Sequence, residues 1–129
     1  MDVFTPGDHG STFGGNPLAA AIARAALKVL IDEKLIENSA EMGEYFLGRL
    51  RGLKSKWIKE IRGKGLWIGL ELTAEAGGAR RFCEALRFKQ LLCKETHVHT
   101  IRFAPPLGVT KDELDWAFER IEAVFRELA

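Results

Sequence analysis

The segment His9 to Ala21, HGSTFGGNPLAAA, sets two hydroxyls, two adjacent glycines, an asparagine and a proline directly ahead of a run of alanines. These are the parts of an anion site. Glycine lets backbone approach a ligand closely, a helix start carries partial positive charge and free N–H groups, and Ser11 and Thr12 add hydroxyl donors. They are also the parts of a plain helix cap. Asn16 would occupy one or two of the helix-end N–H groups itself, leaving an anion to Ser11, Thr12 and their loop amides. Neither GxxxxGK[ST] nor GxGxxG occurs, which argues against a P-loop or a dinucleotide fingerprint.

Arg102, in HTIRFAPP, stands between apolar residues of an expected strand just before Pro105-Pro106. A guanidinium there can grip a carboxylate through two parallel hydrogen bonds. The alternative is an outward-facing residue on a strand that buries Ile101 and Phe103, and periodicity permits both readings. His97 and His99 form an HxH pair of the kind that can chelate a metal, but spacing places no third ligand, so no metal is expected. GKG at Gly63 to Gly65 reads as a turn between strands rather than a phosphate loop. Cys83, on an apolar helix face, and Cys93, in a strand, read as ordinary buried thiols.

The elements that must position these residues follow from period and punctuation. Asn16-Pro17 is a helix start, and Leu18, Ile22, Ala26, Val29 and Leu30 repeat at helical spacing, giving a helix from about Pro17 to Glu33. A second helix runs from about Ile36 to Lys54, where Gly43 and Gly48 permit close packing against a neighbour. In GLWIGLEL the period becomes two: Leu66, Ile68, Leu70 and Leu72 point one way and Trp67, Gly69 and Glu71 the other. WIKEIRGKG is a shorter strand leading into it. Ala79, Phe82, Cys83, Leu86 and Gln90 trace a third helix, and LLCKET and HTIRFA two short strands joined near Val98. Thr110 and Glu113 form a capping box ahead of a C-terminal helix. Met42, Trp57, Trp67 and Trp116 are expected in the core or at an interface. This order favours an α+β fold: a small, mostly antiparallel sheet with helices packed on one face and a long N-terminal helix, rather than a doubly wound parallel sheet.

With 129 residues, 47% hydrophobic and 29% charged, and a net charge of +1, the chain reads as one globular domain with no pull toward nucleic acid or anionic lipid. No apolar run could span a bilayer, and no signal peptide is expected in the residues after Met1. Two cysteines make no disulfide framework, and a reducing, cytoplasmic setting is the default.

The stretches HGSTFGGNPLAAAIARAALKVL, IRGKGLWIGLEL, LLCKETHVHTIRFAPPL and TKDELDWAFERIEAVF, in that order and spacing, resemble the C-terminal part of the class III pyridoxal-phosphate aminotransferases across essentially the whole chain. CKETH with IRFAPPL leans toward the ornithine-specific branch over the acetylornithine, 4-aminobutyrate and glutamate-semialdehyde branches. The resemblance implies an enzyme that moves the δ-amino group of L-ornithine to a 2-oxo acid, giving glutamate 5-semialdehyde, with pyridoxal 5'-phosphate as electron sink. It implies that Ser11 and Thr12 bind cofactor, Thr12 touching the phosphate held by the neighbouring subunit of a homodimer, and that Arg102 binds a substrate carboxylate. It also implies that the lysine carrying the cofactor, and hence every catalytic residue, belongs to a large domain that precedes this segment. Residues 1–15 then correspond to an arm and cofactor-phosphate loop continuous with that large domain, and 16–129 to a C-terminal small domain that is inactive alone. A free-standing small-anion-binding module, using Ser11, Thr12 and Arg102, or a ligand-free dimerisation module would share the same local features.

Overall fold

Helix starts fall where capping chemistry puts them. In the computed structural model, which describes Thr5 and residues 7–129, Asn16 Oδ1 accepts from the N–H groups of Leu18 and Ala19 at 2.9 and 3.2 Å. Pro17 then opens α1, Pro17–Asp32. None of its residues is buried, and Leu18, Ile22, Leu27 and Ile31 are exposed. The chain forms two compact units, residues 1–34, which include α1, and residues 35–129.

The second unit holds the sheet. It runs α2 (Leu35–Arg51), β1 (Ile58–Lys64), β2 (Trp67–Leu72), a short 3-10 turn at Ala74–Ala76, α3 (Arg80–Phe88), β3 (Lys94–Thr96), β4 (Thr100–Phe103) and α4 (Lys111–Glu127). The four strands lie in the order β1-β2-β4-β3 and every neighbouring pair is antiparallel. Ile68, Leu70 and Leu72 of β2 and Ile101 and Phe103 of β4 are buried on one face, as their period of two requires. On that face α2 packs on β1 and β2, α3 packs on β3 and β4, and α4 bridges the two helices. The α+β architecture with helices on one face is therefore the observed one. Aromatic contacts fill the interior: Phe82 lies 4.9 Å from Phe125, and Phe46 meets Phe103 edge-on at 6.3 Å.

Both halves of the capping box at α4 are present: Glu113 N–H donates to Thr110 Oγ1, and the Thr110 N–H donates to the Glu113 carboxylate at 2.8 Å. Element ends move from the expected ones for local reasons. α2 stops at Arg51 because Gly52 turns back, its N–H reaching the carbonyls of Gly48 and Arg49. α3 ends at Phe88, short of Gln90, because Gln90 takes a left-handed conformation (φ 66°) that lets the Leu91 N–H return to the Leu86 carbonyl at 2.9 Å. Trp67 is 69% exposed and forms no part of the core. Trp57 is half-buried and its Nε1–H donates to the Leu128 carbonyl at 2.7 Å.

Gly43 and Gly48 differ sharply. A Cβ on Gly43 would lie 2.3 Å from the Gly65 carbonyl carbon, whereas one on Gly48 would meet nothing within 4 Å. Only Gly43 allows the close packing expected of both. Gly43→Ala is accordingly expected to cost about 1–3 kcal/mol through overpacking against backbone. Gly48→Ala should instead stabilise by about 0.5–1 kcal/mol through helix propensity. Urea unfolding of the two variants checks this, and equal effects would contradict it.

Candidate functional site

The sheet's uncovered face carries the charge. Because the strands are antiparallel and in register, Arg62 of β1 stands opposite Gly69 of β2, Gly69 opposite Arg102 of β4, and Arg102 opposite Lys94 of β3. One row across the sheet thus holds Arg62, Gly69, Arg102 and Lys94, with no side chain at its second place. Arg62, Lys94 and Arg102 are all exposed. A cavity of about 530 Å³ opens over the Arg62, Gly69 and Arg102 places of this row, lined also by Trp67, Thr96, His97 and Thr100.

The three cations are not equivalent. Arg62 Nη1 donates to Glu71 at 2.6 Å and to Glu60 at 3.0 Å, and Lys59 Nζ donates to Glu71 at 2.7 Å. Hydrogen bonds from Lys59 and Arg62 hold the Glu71 carboxyl below the usual carboxylate range, so it stays ionised and keeps Arg62 occupied. The Arg102 side chain makes no hydrogen bond or ion pair among the described residues. Its neighbours Ile101 and Phe103 are buried while it is exposed, which is the geometry both sequence readings required. An exposed guanidinium with no side-chain partner, beside a glycine, can grip a carboxylate.

Ser11 and Thr12 lie in the first unit and Arg102 in the second, so each is described by itself. Residues 13–16 form a turn closed by the Asn16 N–H donating to the Phe13 carbonyl at 3.2 Å, with Gly15 at φ 76°. A side chain at Gly15 would be strained there. A Cβ on Gly14 would sit 3.0 Å from Ser11 Cβ and 3.2 Å from its Oγ, so the first glycine of the pair makes room for the serine. Ser11 and Thr12 are exposed and their hydroxyls have no partner among the described residues. Asn16 engages two amides of the first helical turn, and Pro17 has none, so free donors are concentrated at Ser11, Thr12 and the loop backbone. That donor set suits a phosphate.

Elsewhere the expectations thin out. His97 and Val98 take left-handed conformations (φ 48° and 63°) in the β3–β4 turn, and His97 lines the Arg102 cavity. Glu75 is held below the usual carboxylate range by its own backbone N–H and by the Thr73 hydroxyl, and the Nδ1 of His99 is buried without a hydrogen-bond partner. Among the described residues, no three His, Cys, Asp or Glu side chains are placed to hold one metal ion, and no helix is long and apolar enough to cross a membrane. Of Gly63 to Gly65, read as a turn, Gly63 and Lys64 instead finish β1, paired with Ile68 and Trp67, and the turn itself is Gly65-Leu66. A larger cleft of about 660 Å³ lies between Phe103–Pro106 and the start of α4. Its charged lining is Asp112 and Glu113, which would repel a carboxylate or a phosphate.

The family model for "Aminotransferase class-III" matches residues 1–125. The chain belongs to the class III aminotransferase family. An ornithine aminotransferase of Staphylococcus carnosus is 61% identical over 125 residues, which cover 97% of this chain and 31% of that protein. Among solved structures, "Ornithine aminotransferase PY00104 from Plasmodium Yoelii" superposes with a TM-score of 0.89 at 41% identity, covering 98% of this chain and 34% of that one. The acetylornithine aminotransferase from Elizabethkingia anophelis superposes with a TM-score of 0.85 at 43% identity, covering 98% of this chain and 34% of that one. This class III aminotransferase chain therefore spans about a third of the length of the relatives it matches.

The row on the open face was not singled out from sequence. Arg62 and Lys94 become neighbours of Arg102 only through strand register, which local period does not encode. If Arg102 serves a ligand rather than the fold, Arg102→Ala should change stability by less than about 0.5 kcal/mol, as expected for an exposed, unpaired side chain. A loss of several times that on thermal or urea unfolding would make the residue structural.

Proposed function

We propose that this chain is the C-terminal domain of an ornithine aminotransferase, and that the complete enzyme transfers the δ-amino group of L-ornithine to a 2-oxo acid, giving glutamate 5-semialdehyde. One observation carries the reading: the Arg102 side chain is held out on an antiparallel sheet with no partner, while Arg62, across Gly69 in the same row, is paired with Glu71. Identities of 57–61% to curated ornithine aminotransferases support the ornithine branch over the acetylornithine one.

Pyridoxal 5'-phosphate, when bound, supplies the electron sink for amino-group transfer. The residues of this chain bind and orient. Arg102 fixes a substrate carboxylate by a two-pronged contact, which limits how the amino group can be presented. Gly69, opposite it, leaves the guanidinium uncovered. Ser11 and Thr12 donate hydroxyl hydrogen bonds to the cofactor phosphate, with Thr12 serving the neighbouring subunit of a homodimer. The lysine that carries the cofactor is supplied by a large domain outside residues 1–129, with residues 1–15 as the arm and phosphate loop continuous with it and residues 16–129 as the small domain. The isolated chain is then inactive. Two free cysteines suit a reducing, cytoplasmic setting.

The test uses the complete aminotransferase. Arg102→Lys keeps the charge but loses the fork, so the Michaelis constant for the carboxylate substrate should rise about tenfold, in line with the ~1.5–3 kcal/mol of a charge-assisted bond. Equal kinetics in both forms would remove Arg102 from substrate binding. Thr12→Ala should weaken cofactor retention by about 1–3 kcal/mol, read by equilibrium dialysis of pyridoxal phosphate. Unchanged retention would refute the phosphate role. A preference for N-acetylated ornithine in the same assay would move the enzyme to the neighbouring branch.

A further inference from the structure

The only two cysteines of the chain lie ten positions apart, and folding brings both to the wall of one small cavity. Cys83 is on the core-facing side of α3 and is 7% exposed. Cys93 is half-buried immediately before β3 and packs against the same core. The turn between them, closed by the left-handed Gln90, folds β3 back beside α3. Both thiols line a small surface cavity of about 160 Å³ together with Arg80, Arg87 and Glu95. A small oxidant can reach them there without the domain opening.

The pair is also asymmetric. The hydrogen bond from Cys93 holds the Cys83 thiol below its ordinary range, against the opposing pull of burial and the Glu95 carboxylate. Donating that bond, together with burial, pushes Cys93 well up. One sulfur is thus the better nucleophile and the other is a resolving thiol already in contact with it, the arrangement in which a thiolate reacts with peroxide and is then captured by its neighbour. Each was expected to be an ordinary buried thiol when read along the sequence; their mutual contact is what changes the chemistry.

We propose that Cys83 and Cys93 form a peroxide-oxidisable dithiol, closing to an intramolecular disulfide that joins α3 to the start of β3. The Cys83 thiolate attacks one oxygen of hydrogen peroxide; the O–O bond breaks, a sulfenic acid forms on Cys83, and the departing hydroxide takes up a proton as water. The Cys93 sulfur then attacks the Cys83 sulfur, the S–O bond breaks, and the hydroxyl leaves with the Cys93 proton as a second water. Two thiols lose two electrons and one peroxide becomes two waters. The modification site is independent of the aminotransferase reading, since it needs only α3, β3 and their shared cavity.

The experiment is to treat the full chain with hydrogen peroxide, block remaining thiols with iodoacetamide, and measure intact mass and peptides. The expected result is loss of both alkylatable thiols, a mass lower by two hydrogens, and one pair of tryptic peptides joined through Cys83 and Cys93. Dithiothreitol should reverse it, and the oxidised chain should melt at a higher temperature than the reduced one. Cys93→Ser should leave a sulfenic acid on Cys83 that dimedone traps, while Cys83→Ser should leave Cys93 unlabelled. The wild-type peptide map needs no variant to fold. Both thiols still alkylating at a dose that fully oxidises glutathione would overturn the proposal. So would joining of cysteines between chains, or sulfinic acid in place of the internal bond.

Discussion

Helix α2 meets the β1–β2 turn with no side chain between them, and the geometry of the open face depends on that contact. Gly43 sits so close to Gly65 that a Cβ would fall 2.3 Å from a backbone carbon, and Gly65 itself turns with φ 54°. Ser39, one turn of α2 earlier, accepts the Leu66 N–H through its hydroxyl at 3.3 Å. The helix is thereby keyed to the hairpin, and the hairpin's register sets which side chain stands beside which. A sheet slipped by one residue would bury Arg102 and Glu71 and expose Ile101 and Leu70.

With register fixed, electrostatics decides which cation is available. Glu71 is held ionised by Lys59 and Arg62, and in turn keeps both engaged. Arg62 therefore adds little free positive charge to the row it shares with Arg102. The guanidinium on this row that lines the cavity without an ion pair is that of Arg102, next to a glycine that leaves it uncovered. An anion on such a face would be held by geometry, since exposed ion pairs are worth little where water competes and a two-pronged contact is worth more.

Much of the fold was legible in the sequence because its signals are local. The Asn16-Pro17 start, the Thr110/Glu113 box and the period of two from Leu66 to Leu72 each need only neighbouring residues to act. The candidate site was legible in part. Ser11, Thr12 and Arg102 stood out by type, but composition alone left each between a ligand role and a bland one, and the family resemblance tipped the reading. What the sequence hid is non-local. The Arg62–Gly69–Arg102–Lys94 row arises from three strand pairings, and the contact between Cys83 and Cys93 arises from the turn at Gln90. Trp67 shows the converse: its alternation was read correctly, yet an aromatic at that position faces outward because its strand covers the core on one side only.

The most direct measurement is the intact mass of this 129-residue chain after incubation with pyridoxal phosphate and borohydride reduction, with peptide mapping of any adduct. A domain that contributes phosphate donors and a carboxylate-binding arginine to a site whose cofactor lysine lies elsewhere should give no adduct, or scattered substoichiometric labelling of surface lysines. A single stoichiometric adduct at one lysine would mean that the chain has a cofactor pocket of its own, and would contradict the assignment of Ser11, Thr12 and Arg102 to a shared one.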